Sequence, residues 1–371
     1  VSAAVAISFA CGAVVSLISG GLLFVRLRRV PPARRRGSGA PPRISVIIPA
    51  RDEAANLGRL LPSLATQTTP AHEILVIDDQ SRDDSAAVAR GHGATVISGE
   101  NLPDGWYGKP WACQQGADRA GGDWLLFLDA DLRLEPDALE RFGDLVDRDP
   151  GAVFSICPWH AVEKPYEQGS VFFNLLMLGG IGAFTFRGDR AAGIGLFGQS
   201  MLISRTLYRE IGGHRRVRRT VLENFHLARE FERLGISRKC YLGEGCVSMR
   251  MFPGGPREMI DSWTKGFSSG AGLSSRLGLG LASVWLSGLM MMTVSLCLLP
   301  LLEPRHLPPV ATAYLAVALS LAWLFRRAGR FRWWNALGFP ASLMFYQWAF
   351  MRGVIRKRRG EHTQWKGRDV A

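Results

Sequence analysis

Residues 123–136 read DWLLFLDADLRLEP. Trp124 to Leu128 is an uninterrupted apolar run, which predicts a strand buried on both faces. Two carboxylates follow at once, Asp129 and Asp131, with only Ala130 between them. Like charges this close repel, and carboxylates beside a core need a compensating partner. Upstream the plan repeats. Ile44–Ile48 is a short apolar strand that runs into Pro49, Ala50, Arg51, Asp52 and Glu53. Leu57, Leu60, Leu61 and Leu64 then recur at helical spacing. Ile74–Ile77 is a second strand, tipped by Asp78 and Asp79, and ATVIS (94–98) is a third. Strands alternating with helices every 25–30 residues or so, about the length of one βαβ unit, predict an α/β fold with a parallel sheet.

Ligands of such sheets sit beyond the C-terminal ends of the strands. The acids at three strand tips therefore converge on one edge. Asp83 and Asp84 are read as turn and capping residues. No glycine-rich phosphate cradle follows the first strand, so a phosphorylated ligand needs a metal to neutralise it. An Asp-x-Asp at a strand end suits that task, since hard divalent ions take oxygen ligands and share their shell with phosphates. The expected occupants are Mg²⁺ or Mn²⁺ and a nucleotide diphosphate, with the first carboxylate facing ribose and the second meeting the ion.

The chain has 371 residues, 47% of them hydrophobic, and a net charge of +13. Such a composition excludes a disordered chain, and the length suffices for a full α/β core. Ala3–Val25 is long and apolar enough to span a bilayer, and its charges come after it, at Arg26, Arg28, Arg29 and Arg34–Arg36. That order predicts an uncleaved anchor with the following domain on the cytoplasmic side. Leu277–Leu302 and Leu307–Phe325 are two further spans, and Arg326, Arg327, Arg330 and Arg332 return the chain to the cytoplasm. Trp333–Met351 is interrupted by Asn335, Pro340 and Gln347. It either spans or lies in the interface, and the basic residues at both its ends favour the interface. Residues 171–186 are short for a span and read as a membrane-contacting hairpin or a core helix, one that guides a greasy acceptor. Because the basic clusters flank apolar segments, anionic lipid headgroups rather than nucleic acid account for the charge. Six scattered cysteines without a CxxC pair fit a reduced, cytoplasmic protein.

ISVIIPARDEAANL, ILVIDDQSRDDS, GDWLLFLDADLRLEPDAL and GQSMLISRTLYREIGGH, in this order and spacing, resemble the family 2 glycosyltransferases of the GT-A fold over about residues 43–250. GWYGKPWAC (105–113) and the paired C-terminal spans look most similar to membrane glycosyltransferases of the 4,4'-diaponeurosporenoate (carotenoid acid) type, with hopanoid-associated relatives second. The resemblance implies a Rossmann-like, mostly parallel sheet with N- and C-terminal transmembrane helices. It implies a UDP-sugar donor, with glucose the default, and single inverting transfer of a hexose to a hydrophobic membrane acceptor, such as a carotenoid carboxylate, a hopanoid or a polyprenyl carrier. Pro49, Ala50, Arg51 and Glu53 would line the nucleotide pocket, with Asp79 reading uracil and Asp78 supporting it. Lys109 would touch nucleotide or phosphate, Asp129 ribose, and Asp131 the metal.

Family members usually carry Glu-Asp at the acceptor side, the Asp being the base; this chain has Glu223 and Asn224. Asn cannot accept a proton at neutral pH. Either Glu223 is the base and Asn224 orients the acceptor, or the acceptor is itself an acid, already ionised at pH 7 and in need of no base. HRRVRRT (214–220) is read as a mobile basic loop that closes over a diphosphate or meets headgroups. The segment REMIDSWTKGFSSG lacks the Gln-x-x-Arg-Trp of polymer synthases, which argues against processive synthesis. The competing readings are a sugar-1-phosphate nucleotidyltransferase, which would need a basic glycine-rich loop where Asp52 and Glu53 stand, and a non-catalytic membrane scaffold of the same fold. The expected organisation is an anchor (1–27), a basic linker (28–42), a catalytic domain (43–252), an interfacial segment (253–276), C-terminal membrane or interfacial helices (277–351) and a basic tail (352–371). The sequence specifies no oligomeric state.

Overall fold

The computed structural model describes residues 1–34, 40–220, 222–270, 274–359, 363–365 and 368–370. Parts of the expected linker (35–39), of the interfacial segment (271–273) and of the tail lie outside these residues. The helices in chain order are α1 (Ser2–Phe24), α2 (Ala54–Ala65), α3 (Ser85–Gly91), α4 (Gly108–Arg119), α5 (Ala138–Arg148), α6 (Val171–Ile181), α7 (Arg205–Glu210), α8 (Glu223–Arg233), α9 (Pro256–Gly270), α10 (Arg276–Leu296), α11 (Leu307–Ala328), α12 (Trp333–Leu337) and α13 (Phe339–Arg358). The strands are β1 (Ile44–Ala50), β2 (Glu73–Asp78), β3 (Thr95–Ser98), β4 (Trp124–Leu128), β5 (Leu132–Leu134), β6 (Val153–Cys157), β7 (Trp159–His160), β8 (Ser200–Ser204), β9 (Arg238–Leu242), β10 (Val247–Met249), β11 (Thr363–Trp365) and β12 (Arg368–Val370).

Two compact units emerge. One, the sheet unit, comprises Arg28–His160 and Ile194–Met251; the other, the helical unit, comprises Val1–Leu27, Ala161–Gly193 and Phe252–Ala371. The contiguous 43–252 domain expected from sequence is thus interrupted: the chain leaves the sheet unit after β7 and re-enters it before β8. The expected linker also begins inside the sheet unit. Val30 N–H donates to Leu242 O at 3.1 Å, and Leu242 N–H donates to Arg28 O at 2.8 Å. Arg28 stacks on Tyr241 at 4.6 Å.

Seven strands form the main sheet, in the order β3-β2-β1-β4-β8-β6-β9. β1 pairs in parallel with β2 (Ile47 opposite Leu75) and with β4 (Ile47 opposite Phe127), so the tips of these strands share an edge. The mostly parallel sheet expected from the βαβ alternation is observed. β8 departs from it, running antiparallel between β4 and β6. All of β4 is buried, as is β1 except at Pro49, because helices cover both sheet faces. Leu57, Leu60, Leu61 and Leu64 of α2 are all buried in this core. A small second sheet, β5-β10-β7, sits beyond the tip of β4, with Leu132 opposite Met249 and Met249 opposite His160.

In the helical unit three segments are long and apolar enough to cross a membrane: Ser2–Phe24, Arg276–Leu296 and Pro304–Ala328. α1 and α10 approach so closely that a Cβ on Gly12 would lie 2.9 Å from Gly288 O, and one on Gly288 would lie 2.8 Å from Gly12 O. The Trp285 indole fills the space over Gly20. Small residues that let backbones meet are the usual device of helices packed in an apolar phase. Of the two readings for 171–186, the structure shows the core helix. In α6, Phe172 and Phe173 are fully buried; Phe172 meets Trp285 and Phe325 at 5.8 and 5.9 Å, and Phe173 stacks on Trp263 at 4.7 Å. The stretch from Trp333 divides at Gly338 into α12 and α13 and is not among the candidate spans. Its Asn335 is buried because it is satisfied: Nδ2 donates to Gln168 O at 3.0 Å and Oδ1 accepts from Ser342 at 2.6 Å.

Candidate active site

The tips of β1 and β2 are tied together. Asp79 N–H donates to Ala50 O at 2.8 Å, and Gly99 N–H donates to Asp78 O at 2.9 Å. Asp52 and Gln80 take left-handed conformations (φ 53° and 57°) in the two turns. Side chains hold those turns: Arg82 N–H donates to Asp52 at 2.7 Å, Ala54 N–H to Asp83 at 3.0 Å and Ser81 N–H to Asp78 at 3.1 Å. Asp83 and Asp78 thus serve the turns. Arg51 donates to Asp79 O at 3.2 Å and lies 3.7 Å from its carboxylate, which is buried. Glu53 stands at the start of α2 and accepts from Asn56 at 2.6 Å.

Lys109 lies in the first turn of α4, which rests on the sheet through Gly116; a Cβ there would meet Ile47 at 2.5 Å and Ile77 at 2.8 Å. The ammonium has three acceptors for its three protons: Asp129 Oδ1 at 2.7 Å, Glu223 Oε1 at 3.3 Å and Gly198 O at 3.2 Å. Burial alone would lower its pKa, but Asp129 and then Glu223 outweigh that and raise it, so Lys109 stays charged. Asp129 is placed by its own N–H, which donates to Gln199 O at 2.9 Å.

Asp131 differs. Its Oδ1 is closed off from solvent and finds no hydrogen-bond partner among the described residues. Burial, then the charges of Asp129 and Glu53, push its pKa up to about 7. An orphaned carboxylate oxygen of this kind suits a hard divalent cation as a single ligand. Among the described residues no three His, Cys, Asp or Glu side chains are grouped so that they could hold a metal ion. Remaining ligands would come from substrate or water, as is usual for Mg²⁺ at phosphates.

Glu223 opens α8 and is buried, facing Lys109. Asn224 beside it donates from Nδ2 to Leu196 O, so its amide is oriented by the main chain. A pocket of the sheet unit brings together Pro49, Lys109, Asp129, His214, Glu223 and Asn224 with the apolar Phe127, Phe197, Met201 and Leu227. Asp79 and Asp131 are not among its walls; Asp131 adjoins through the field of Asp129.

Residues 45–212 match the family described as glycosyl transferase family 2. The chain is 31% identical over 331 residues, 88% of each protein, to the 4,4'-diaponeurosporenoate glycosyltransferase of Staphylococcus aureus strain MRSA252. The protein of that name from the bovine strain RF122 / ET3-1 is 30% identical over 99% of this chain and 96% of its own length. The chain belongs to glycosyltransferase family 2. Among solved structures it is similar to the mannosyltransferase PcManGT of Pyrobaculum calidifontis, with a TM-score of 0.50, 18% identity, and coverage of 95% of this chain and 99% of that one. That likeness is one of fold, and it is the GT-A fold that the sequence resemblance implied.

This glycosyltransferase also holds site residues that the sequence reading did not find. His214 was expected in a mobile basic loop, but it is only 3% exposed. Gly212 and Gly213 (φ 79° and 57°) turn the chain inward ahead of it. Arg215 pairs with Asp118 at 3.1 Å, and Tyr107 N–H donates to Arg218 O at 2.8 Å, so the basic run packs on α4 and on the turn before it. Two consecutive glycines before a histidine were the available signal. Burial, then Lys109, lower the His214 pKa to about 3, so the ring is neutral. Gln114 and Tyr208, which carry it, had no signal in the sequence pattern.

Proposed function

We propose that this enzyme transfers one hexose, glucose by default, from a UDP-sugar to the carboxylate of a hydrophobic, carotenoid-type acceptor, with inversion and with a divalent cation. The carrying observation is the Asp129–Lys109–Glu223 ion triad. Glu223 is held by a fixed ammonium and Asn224 by a main-chain carbonyl. Neither is arranged to receive a proton, which favours a nucleophile that arrives ionised. Two findings support the acceptor class: the name borne by the Staphylococcus aureus relatives and the three segments apolar enough to cross a membrane.

In the reaction, a carboxylate oxygen attacks the anomeric carbon. A C–O bond forms, the bond from that carbon to the diphosphate breaks, and UDP leaves with the electron pair; no proton is transferred. Asp131 would hold Mg²⁺ or Mn²⁺. PcManGT is described with GDP-Man and Mn²⁺. A bound divalent cation would offset charge on the departing diphosphate. Lys109 keeps a positive charge next to that leaving group. Pro49, Ala50, Arg51 and Glu53 would wall the nucleotide, Asp79 would read the base with Asp78 supporting it through the turn, and Asp129 would face the ribose. The basic clusters that follow the apolar segments favour a cytoplasmic sheet unit.

The test is purified protein with Mn²⁺, UDP-glucose and 4,4'-diaponeurosporenoate in detergent micelles, read by mass spectrometry. One added hexose is expected, and Glu223→Gln should retain a tenth or more of the turnover, since it leaves a hydrogen-bonding group at the site and no base is required. No hexose increment, or abolished transfer in Glu223→Gln with UDP binding intact, would reject the reading.

A further inference from the structure

His214 is more elaborately held than a packing residue requires. Its main-chain N–H donates to Tyr208 OH at 3.1 Å, and its Nδ1 lies 2.7 Å from the same hydroxyl. Tyr208 OH is also 3.3 Å from Gln114 Oε1, which accepts the Arg215 N–H at 3.3 Å. Tyr208 and Gln114 are as buried as His214 itself. The Phe127 ring meets the imidazole edge-on at 5.0 Å. Gly213 has no room for a side chain, because a Cβ there would lie 2.6 Å from the Tyr208 ring.

The hydroxyl has one proton to give. Two acceptors are within its reach, Gln114 Oε1 at 3.3 Å and Nδ1 at 2.7 Å, and the shorter contact assigns the proton to Nδ1. Nδ1 is then an acceptor, and the neutral ring carries its own proton on Nε2. With Nδ1 and the main-chain N–H both taken by Tyr208, Nε2–H is the polar group left for a ligand. The imidazole lines the pocket that holds Lys109, Asp129, Glu223 and Asn224. Beside the Lys109 ammonium, such a neutral donor suits an anionic or strongly accepting ligand.

We propose that His214 determines acceptor specificity: its Nε2–H donates to the carboxylate oxygen that does not attack, and Tyr208 is the positioning residue that fixes the tautomer. The inference rests on the carboxylate-acceptor reading above. It gives the acceptor's two oxygens different tasks, one facing the anomeric carbon and one tethered to the imidazole. An alcohol acceptor has no second oxygen for this tether and forfeits it.

Side-chain amides test the assignment, because glutamine places its NH₂ near the position of Nε2 and asparagine near that of Nδ1. His214→Gln, His214→Asn, His214→Phe and Tyr208→Phe are compared with wild type in the full-length protein. The assay uses UDP-glucose, Mn²⁺ and either 4,4'-diaponeurosporenoate or its primary alcohol, with Tm measured in parallel. His214→Gln is expected to keep kcat/KM for the acid within about fivefold, while His214→Asn and His214→Phe lose at least about tenfold through the acceptor KM, the size of one hydrogen bond to a charged group. The KM for UDP-glucose stays unchanged, and Tyr208→Phe raises the acceptor KM by about threefold, as expected for an indirect effect smaller than one such bond. The proposal is overturned if His214→Asn matches wild type where His214→Gln does not, if the loss falls on the UDP-glucose KM, or if activity simply follows Tm. Should the His214 variants fail to fold, an unchanged acceptor KM in Tyr208→Phe overturns it. Wild type that transfers to the alcohol and not to the acid rejects the carboxylate reading itself; acid turnover that survives His214→Phe rejects only the role of His214.

Discussion

The sheet unit and the helical unit differ in the residues that set their central contacts. In the sheet unit large side chains set them: Val46, Ile47, Ile48, Leu125 and Leu126 have no exposed surface. In the helical unit large rings are buried as well, among them Phe172, Phe173 and Trp285, but the contact of α1 with α10 is made by removing side chains, at Gly12 and Gly288. The outer faces contrast as well. Leu319 on α11 is 72% exposed and Ile7 on α1 is 63% exposed, which an aqueous surface would penalise and a bilayer would not. Water drives apolar groups together at about 25 cal/mol per Å². Lipid supplies no such force, so association there depends on close van der Waals approach. Polar chemistry differs as well: it gathers at strand tips in one unit, while the other ties buried groups into local pairs such as Asn335–Ser342.

The sharpest way to break the comparison is at a strand tip. Asp131→Ala is expected to lower turnover by about a thousandfold or more while leaving Tm nearly unchanged, because it removes the proposed metal ligand and relieves repulsion among acids. EDTA should do the same to wild type, with recovery on adding Mn²⁺ or Mg²⁺; full activity in EDTA would sever Asp131 from metal chemistry. Next comes Lys109→Met, which leaves Asp129 and Glu223 facing each other without their shared cation. Loss of most activity and about 1–3 kcal/mol of stability is expected, measured by turnover and by denaturation, and Lys109→Arg should recover part of both. In the helical unit the test is Gly288→Leu, whose Cβ must displace the α1 backbone. A fall in Tm on the order of 5 °C is expected, with UDP binding at the sheet unit retained; Leu319→Ala on the exposed face should change neither.

The smallest effect is a pH dependence. Burial lowers the pKa of His160 to about 4, and burial with Lys109 lowers that of His214 to about 3. Both lie below the unfolded value, so the unfolded chain takes up protons first. Their contribution to stability is complete above about pH 6.5 and declines as pH falls below it, by about 1.4 kcal/mol per unit for each ring. Asp131 opposes them, because its pKa is pushed up to about 7 and the folded chain takes up that proton first. In Asp131→Asn, which removes the opposing group, Tm should drop between pH 6.5 and 5, and adding His160→Gln should flatten that slope by about half. A flat Tm in Asp131→Asn over this range would show that neither ring is buried neutral.

Much of the sheet was legible because its strands are apolar runs that end in acids. β4 spans the residues read from sequence, and β1 and β2 extend that reading by only one or two residues at an end. Less legible was β8, where SMLIS gives no sign of direction; its antiparallel course is set by pairing with β4 and β6 rather than by anything local. The excursion of Ala161–Gly193 into the helical unit was hidden for a related reason, since an apolar segment looks the same whichever core it enters. At the site, the strand-tip placement of Asp129 and Asp131 could be anticipated. The ion triad could not, because it depends on the register of α4 against α8. His214 was misread because four nearby arginines dominated the composition, whereas the two glycines before it decided its direction.

The close contact of α1 with α10 also sets a timetable. Ser16 and the Met292 it touches are separated by 276 positions in the chain. At about 5–20 residues synthesised per second, the first helix waits some 15–55 s for its partner to be made. The strands and helices of the catalytic core are completed during that interval. The enzyme therefore has time to fold its chemistry before its apolar half can zip shut, and the bare glycine face of the first helix is, for that period, the part of the nascent protein most open to the wrong companion.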